Sequence, residues 1–176
     1  MAEVATGAVT GAMAEGLLGC FTVCFVGLIV GVLLMVGITD WHRRFISNKL
    51  IVVLLILRLV GGCAVMGGLL DSAWFDALAF SELGLQALAC VCVCAALLLL
   101  NEALARFTST CGIGLGDIKL IFVLGMFMHP EYICWFLLLS SLCGVAHALI
   151  SLIVTRDGTF PFGPSLILGF CGCVFL

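Results

Sequence analysis

The stretch Cys111-Gly-Ile-Gly-Leu-Gly-Asp-Ile-Lys-Leu120 places an acidic residue, Asp117, directly after a run of glycines and directly before an apolar segment. A carboxylate at the edge of a lipid bilayer is costly to maintain, so it is a functional candidate by default. Glycine beside it allows the backbone, or another chain, to approach closely. The rest of the sequence decides whether Asp117 has a partner and a role.

The composition of the chain is that of a membrane protein. Of its 176 residues, 64% are hydrophobic and 10% are charged, whereas an ordinary soluble domain has about a quarter charged residues. The apolar residues come in long blocks, which is typical of membrane-spanning helices. The sequence has no basic cluster that would bind nucleic acid, and we treat residues 1–176 as a single integral-membrane domain.

Six apolar segments predict an all-α, polytopic fold with about six transmembrane helices. About twenty residues are needed to cross the hydrocarbon core, so the short fourth and sixth segments are expected to be tilted, re-entrant or extended into their flanks. Because residues 1–15 contain no Lys or Arg, we interpret the first segment as a retained helix rather than a signal peptide. The predicted segments cover approximately residues 17–38, 50–70, 83–100, 118–128, 132–154 and 162–176.

The basic residues are distributed unevenly among the connections between these segments. Six of the seven lie in the first, third and fifth connections, and the second and fourth connections have none. The positive-inside rule then places the first, third and fifth connections in the cytoplasm and both termini outside. The seventh base, Arg58, lies inside the second segment, where it either pairs with an acid in the bundle or extends toward an interface.

The charge pattern gives Asp117 a possible partner. Asp40 directly follows the first segment and Asp117 directly precedes the fourth, so both acids are expected at one depth on the cytoplasmic side. Two carboxylates within reach of each other share a proton; one can then activate water while the protonated one polarises a carbonyl, as in aspartic proteases. The alternative for Asp40 is an ion pair with Arg43 or Arg44. For Asp117 it is an ion pair with Lys119 or a helix cap.

Three motifs resemble those of prepilin peptidases. The stretch Gly114-Leu-Gly-Asp-Ile-Lys-Leu120 resembles the G-x-G-D-[VI]-K-L motif of that family. Asp40, followed by basic residues and then by Ile46-Ser-Asn-Lys-Leu50, is similar to a second signature in which an Asp leads into I-P-N-x-L. Phe160-Pro-Phe-Gly-Pro-Ser165 resembles the P-F-G-P-[AS] element. The three motifs occur in the family's order, and the resemblance spans nearly the entire chain.

The resemblance implies a membrane aspartic endopeptidase of the cytoplasmic (inner) membrane, with its active site facing the cytoplasm and without metal or cofactor. Its partners would be the lipid bilayer and a prepilin-like membrane protein, from which it would remove a short basic leader. Pilin, pseudopilin and archaellin precursors are all open as substrates. The oligomeric state is also open. Asp40 and Asp117 would be the catalytic pair. The motif residues expected to position them are Gly114, Gly116, Lys119, Asn48, Pro161 and Gly163.

The sequence departs from the family's pattern at two places in the first connection. Ser47 stands where the family usually has Pro, which loosens the turn but leaves the acid in place. The connection has no Cys, whereas many bacterial members carry a cysteine-rich zinc module there and also N-methylate the trimmed pilin. The chain therefore resembles the compact Tad-type or archaeal-type members, and N-methyltransferase activity is not expected.

The remaining cysteines and histidines are predicted to be structural. Most of the eleven cysteines lie inside apolar segments and are expected to be buried as small hydrophobic residues rather than to bind zinc or form disulfides. His147, inside the fifth segment, is expected to be buried and hydrogen-bonded.

Two other functions remain open at this point. A presenilin-like intramembrane protease also uses a GxGD motif, although the sequence lacks a Tyr-Asp pair in an apolar segment and a Pro-Ala-Leu-Pro motif. A small transporter or non-enzymatic scaffold could use the same acids for proton relay or packing. Transporter acids usually lie near the midplane of broken helices, whereas Asp40 and Asp117 lie at segment ends.

Overall fold

The computed structural model describes residues 2–43, 46–70, 78–108, 114–154 and 161–174, and the regular structure in these ranges is helical throughout. The predicted all-α fold is confirmed. A short 3-10 turn, Pro130–Tyr132, lies between the fourth and fifth α-helices. The α-helices are α1 (Ala2–Arg43), α2 (Asn48–Met66), α3 (Phe80–Thr108), α4 (Leu115–Gly125), α5 (Ile133–Val154) and α6 (Gly163–Val174).

Helix length separates four possible membrane spans from two short helices. The α4 and α6 helices have 11 and 12 residues, about 16 and 18 Å at 1.5 Å per residue, which is less than the roughly 30 Å hydrocarbon core. These are the two segments that the sequence predicts to be short. Of the six transmembrane helices predicted, four are long enough to span among the described residues. The stretches long and apolar enough to cross a bilayer are Gly16–His42, Asn48–Met66, Leu83–Phe107 and Pro130–Ile153.

The outer surface of the long helices is apolar. Leu34 on α1, Val91 on α3 and Ile153 on α5 are all more than half exposed, and many other large apolar side chains are exposed on the same helices. Soluble proteins rarely expose contiguous apolar surface on this scale. The chain is therefore a multi-pass membrane protein, because only lipid solvates such a surface without a large cost.

The short helix α4 lies at the centre of the hydrophobic core. Its apolar residues Leu120, Ile121 and Leu124 are buried and pack in one cluster with side chains from α1, α2, α5 and α6. Helices α2, α3 and α6 contact α4 directly, and α1 contacts α2 and α6. A helix too short to span can lie at membrane depth where protein, rather than lipid, packs around it, as it does around the buried residues of α4.

The second short helix, α6, packs very closely on α5. A side chain at Gly169 would collide with the backbone of Ser140, and one at Gly144 would collide with the ring of Phe162. Small residues at such crossings let helix backbones approach in a membrane, where packing rather than the hydrophobic effect drives association. Helix α5 therefore fixes the position of α6, whose first residue, Gly163, contacts Asp40.

Cysteine burial was predicted too widely. The described cysteines are all free thiols, but only Cys90 and Cys173 are buried. The sequence identifies an apolar segment but not which of its sides faces lipid, so the expectation of burial is wrong for Cys20, Cys24, Cys92 and Cys134; it did not extend to Cys63, which lies nearer a polar end. Cys111 lies outside the described residues. The exposed cysteines are Cys20, Cys24, Cys63, Cys92 and Cys134.

Candidate active site

Asp40 is held at the end of the bundle where α1 finishes and α6 begins. It lies in the last turn of α1 and is 5% exposed. The backbone N–H of Gly163, the first residue of α6, donates a hydrogen bond of 2.9 Å to its Oδ2. A helix N-terminus carries unpaired N–H groups and positive partial charge, so it stabilises a carboxylate placed there.

Gly163 is required by this close approach. A Cβ atom added at this position would lie 2.6 Å from Oδ2 and 3.0 Å from Cγ of Asp40. No side chain fits that space unless the carboxylate moves. Pro161, from the same motif, lies in the connection two residues before α6 and is partly buried.

Asp117 occupies the third position of α4, counted from the N-cap residue Gly114. The backbone N–H of Gly114 bonds to its carboxylate, and a Cβ added at Gly114 would lie 3.1 Å from Oδ2. The helix-capping alternative raised by the sequence is therefore present in the structure, in the manner of a residue that reaches back to the N-cap. Among the described residues, no ion pair joins Lys119 to Asp117; Nζ of Lys119 bonds to Asn48.

The two carboxylates interact electrostatically. Burial first, and the negative charge of Asp40 second, raise the pKa of Asp117 to about 6, while the hydrogen bond from Gly114 opposes the shift. Like charges in a poorly solvated site cannot both ionise cheaply, so the pair holds a proton up to about pH 6. No hydrogen bond joins Asp40 directly to Asp117 in the described structure. The side chains of Arg43 and Arg44, the alternative partners of Asp40, lie outside it.

Two further contacts join the first motif to the glycine motif. Ile46, between α1 and α2, is buried and packs on Gly116, where an added Cβ would lie 3.3 Å from the Cβ of Ile46. Nζ of Lys119 donates a hydrogen bond of 3.3 Å to Oδ1 of Asn48, the first residue of α2. The N-termini of α2, α4 and α6 thus meet near the end of α1. Asp40, Gly163, Asp117, Gly114, Gly116, Lys119 and Asn48 are gathered there by these contacts.

A model of the type IV leader peptidase family matches residues 27–149, more than two thirds of the chain. The chain belongs to the type IV leader peptidase family. Membership implies a leader peptidase function in general terms and pilin-like precursors as the general class of substrate. The matched range includes both acids, whereas Gly163 lies beyond it. Neither the curated proteins nor the solved structures contain a match to the chain.

In this leader peptidase, a group of side chains next to Asp40 was not foreseen from the sequence. The rings of Trp41 and His147 stack with centroids 5.4 Å apart and planes 6° apart, and Nδ1 of His147 lies 3.5 Å from Oγ of Ser165. His147 is hydrogen-bonded as expected, but it is half-buried rather than buried. No sequence pattern connects α1 to a residue more than a hundred positions later, so only the fold reveals this contact.

A groove next to Asp40 opens between α1 and α6 of the leader peptidase. It has a volume of about 370 Å³, and its lining is mostly apolar. Trp41 and His42 lie at the end nearest Asp40. Within the described residues, no group of three or more His, Cys, Asp or Glu side chains is placed to hold a metal ion. Other residues lining the groove include Leu34, Gly37, Ile38, Pro164 and Ile167.

Proposed function

We propose that the chain is an aspartic endopeptidase that removes the basic leader from type IV pilin-like precursors at the cytoplasmic face of the membrane. The observation that carries the proposal is the pair of poorly exposed carboxylates, Asp40 and Asp117, which come from two helices and share one electrostatic environment. Ion pairing or capping alone does not require two such acids to approach each other, since each would be satisfied separately.

The surroundings of the two acids suggest different roles. The carboxylate of Asp40 accepts the N–H of Gly163 at the start of α6, which offsets part of the cost of burying its charge, so we assign it the general base. Asp117, with its pKa raised to about 6, is the acid that holds a proton and donates a hydrogen bond to the scissile carbonyl oxygen. Cleavage is then expected to decline as the pH rises above about 6 and Asp117 ionises.

The reaction follows from these assignments. Asp40 takes a proton from a water molecule as the water oxygen attacks the carbonyl carbon that Asp117 polarises. The resulting tetrahedral intermediate collapses with cleavage of the C–N bond, and the proton held by Asp40 goes to the leaving nitrogen. The products are a free leader carboxylate and a new N-terminal amine, and no metal is needed to balance the step.

The other motif residues are proposed to position the pair. Gly163 permits the close contact with Asp40, and Gly116 permits Ile46 to pack against the first turn of α4. Gly114 supplies the N–H that orients Asp117. The hydrogen bond between Lys119 and Asn48 ties α4 to α2 at the same end. Pro161 would shape the chain just before α6.

The short first connection bears on which reactions the protein catalyses, and the charge pattern bears on which side of the membrane it cuts. Only residues 44–47 separate α1 from α2, which leaves no space there for a zinc module, so we propose cleavage without N-methylation. The positive-inside pattern of the sequence supports a cytoplasmic site, where the basic leader of a precursor would also lie.

The test is leader removal from a co-expressed pilin-like precursor by the single variants Asp40→Asn and Asp117→Asn. Each variant is expected to abolish cleavage, because each removes one of the two groups that act on water and carbonyl. Glu102→Gln is the matched control, since Glu102 is an exposed acid paired with Arg106 at 3.1 Å. Cleavage that persists in both Asp variants would refute the aspartic mechanism.

The N-terminus of the trimmed product distinguishes this proposal from a presenilin-like protease. Mass spectrometry should locate the cut at the junction between the basic leader and the apolar helix. A cut inside the apolar helix would favour intramembrane proteolysis. If the purified, folded protein cuts no precursor at all, a transporter or scaffold role is favoured instead.

A further inference from the structure

Arg58 is a cation enclosed in the bundle. Its side chain has no exposed surface, and it lies inside the α2 span. The alternative in which it extends toward an interface is therefore excluded. A buried charge at membrane depth is costly and is retained where specific polar groups surround it.

The guanidinium group joins described residues that lie far apart in the sequence. Its Nε donates a hydrogen bond to the carbonyl of Met126. One terminal nitrogen donates to the carbonyl of Leu78 at 2.7 Å, and the other donates to Oε1 of Gln86 on α3 at 2.8 Å. Gln86 is itself fully buried. The planar fork of Arg, with five N–H donors, suits such divergent acceptors.

Met126 directly follows the last residue of α4, so Arg58 contacts the end of this short helix. The carbonyls of residues 122–125 already accept hydrogen bonds from the backbone amides of residues 126–128. The next carbonyl, that of Met126, receives Arg58. A carbonyl left unsatisfied at membrane depth costs several kcal/mol, and a cation at a helix C-terminus also complements the helix dipole.

We infer that Arg58 is a positioning residue, which fixes the C-terminal end of α4 and thereby the depth at which its first turn presents Asp117 to Asp40. The inference rests on the proposed catalytic pair. An α-helix of 11 residues is a nearly rigid rod, so a slip along its axis at one end moves the other end equally. The Ile46 contact and the Lys119–Asn48 bond act in the N-terminal half of α4, whereas the Arg58 bond acts just beyond its C-terminal end.

The effect of Arg58 on the position of Asp117 can be distinguished from the effect of its positive charge. Asp117 and Met126 lie at opposite ends of α4. Arg58, which bonds to Met126, therefore acts on Asp117 electrostatically only across more than one helical turn. Asp40 is the charge that acts on Asp117 at close range, and Lys119 at the same end is bonded to Asn48. Arg58→Lys keeps the positive charge but loses the fork, so it should resemble Arg58→Met if hydrogen bonding to α4 is what matters.

The experiment compares Arg58→Met and Arg58→Lys with wild type in purified full-length protein, using a synthetic precursor peptide over a range of pH. We expect kcat to fall by about tenfold or more with KM within about twofold, because misplacement acts on the chemical step rather than on binding. The alkaline limb of the kcat profile should also move to lower pH, because Asp117 would be less buried and farther from Asp40.

The control is Leu57→Ala, which opens a cavity at a buried neighbour on the same helix but leaves the Arg58 hydrogen bonds in place. Leu57→Ala should lower the free energy of unfolding without shifting the alkaline limb of the kcat profile. Hydrogen exchange should rise at residues 124–128 in the Arg58 variants and not in the control. If Arg58→Met cannot be purified, Gln86→Leu, which removes the side-chain acceptor described above, replaces it in the comparison.

The outcomes distinguish this inference from the proposed function. If wild-type cleavage does not depend on Asp117, the proposed function fails, and the inference fails with it. If cleavage depends on Asp117 but the folded Arg58 variants keep the wild-type kcat and pH limb, only the inference is overturned. It is also overturned if Leu57→Ala shifts the pH limb as far as they do, or if Arg58→Lys restores wild-type behaviour, since charge alone would then suffice.

Discussion

The close contact between Gly163 and Asp40 predicts that adding one methyl group, in Gly163→Ala, will impair cleavage. In Gly163→Ala the new Cβ would lie 2.6 Å from Oδ2 of Asp40, whereas ordinary van der Waals contact begins near 3.4 Å. The carboxylate or the start of α6 must therefore move by about 0.8 Å in total. The backbone N–H that bonds to Asp40 is chemically unchanged, so the substitution tests placement rather than the presence of a donor.

The expected size of the effect follows from this displacement. A 1 Å misplacement of a reacting group can cost about a hundredfold in rate, so a shift of this size predicts a loss of roughly 30- to 100-fold in kcat. The loss corresponds to about 2 to 2.7 kcal/mol of transition-state stabilisation. Overpacking should also lower the free energy of unfolding by about 1 to 3 kcal/mol.

The assay is the initial rate of cleavage of a synthetic precursor peptide by purified protein, with thermal unfolding measured on the same samples. Gly31→Ala is the control, because it makes the same chemical change on α1, where an added Cβ meets no atom within 4 Å. It should retain wild-type activity. The reasoning is refuted if folded Gly163→Ala cleaves within about twofold of wild type while Asp40→Asn is inactive.

Three further experiments test Asp117 and its surroundings. Burial raises the pKa of Asp117 to about 6, so ionisation of Asp117 destabilises the folded state above that pH. In denaturant titrations, Asp117→Asn should therefore raise the free energy of unfolding at pH 7.5 by up to about 3 kcal/mol. Below about pH 4 the substitution should give no gain. Gly116→Ala must displace Ile46, whose Cβ would be 3.3 Å away, and should cost about 1 kcal/mol and reduce cleavage severalfold, unlike Gly31→Ala. A double-mutant cycle of Asn48→Ala and Lys119→Met should give a coupling energy of at most about 1 kcal/mol, because both side chains are exposed; a larger value would show a role beyond a surface contact.

Much of the fold was predictable because membrane helices leave a strong signal in composition. The apolar segments and the shortness of the fourth helix followed from length and hydropathy, which reflect the thickness of the bilayer. The cysteines show the limit of that signal. Cys90 and Cys92 have nearly the same apolar neighbourhood in sequence, yet one is buried and the other is exposed, because neighbouring helices decide which side faces the protein.

The candidate site was predictable for its acids and motifs but not for its supporting contacts. Asp40 and Asp117 follow from charge placement and from a family resemblance. The contact of Ile46 with Gly116, the stack of Trp41 on His147, and the bonds of Arg58 join residues far apart in sequence. Such pairings depend on how the helices pack, and a single sequence carries no periodicity that identifies them.

In the proposed mechanism, capping and catalysis make compatible demands on Asp117. The bond from Gly114 alone would favour the ionised form, whereas burial and the charge of Asp40 favour the protonated form, and the balance leaves the pKa near 6. A carboxyl group has two oxygens, so one can accept the N–H of the N-cap while the other faces the reaction. If the cap dominated, Asp117 would stay ionised and could not donate to a carbonyl; if burial dominated, it could not readily exchange its proton. The glycine motif thus does more than permit a tight helix start, because Gly114 supplies the bond that keeps Asp117 between these limits.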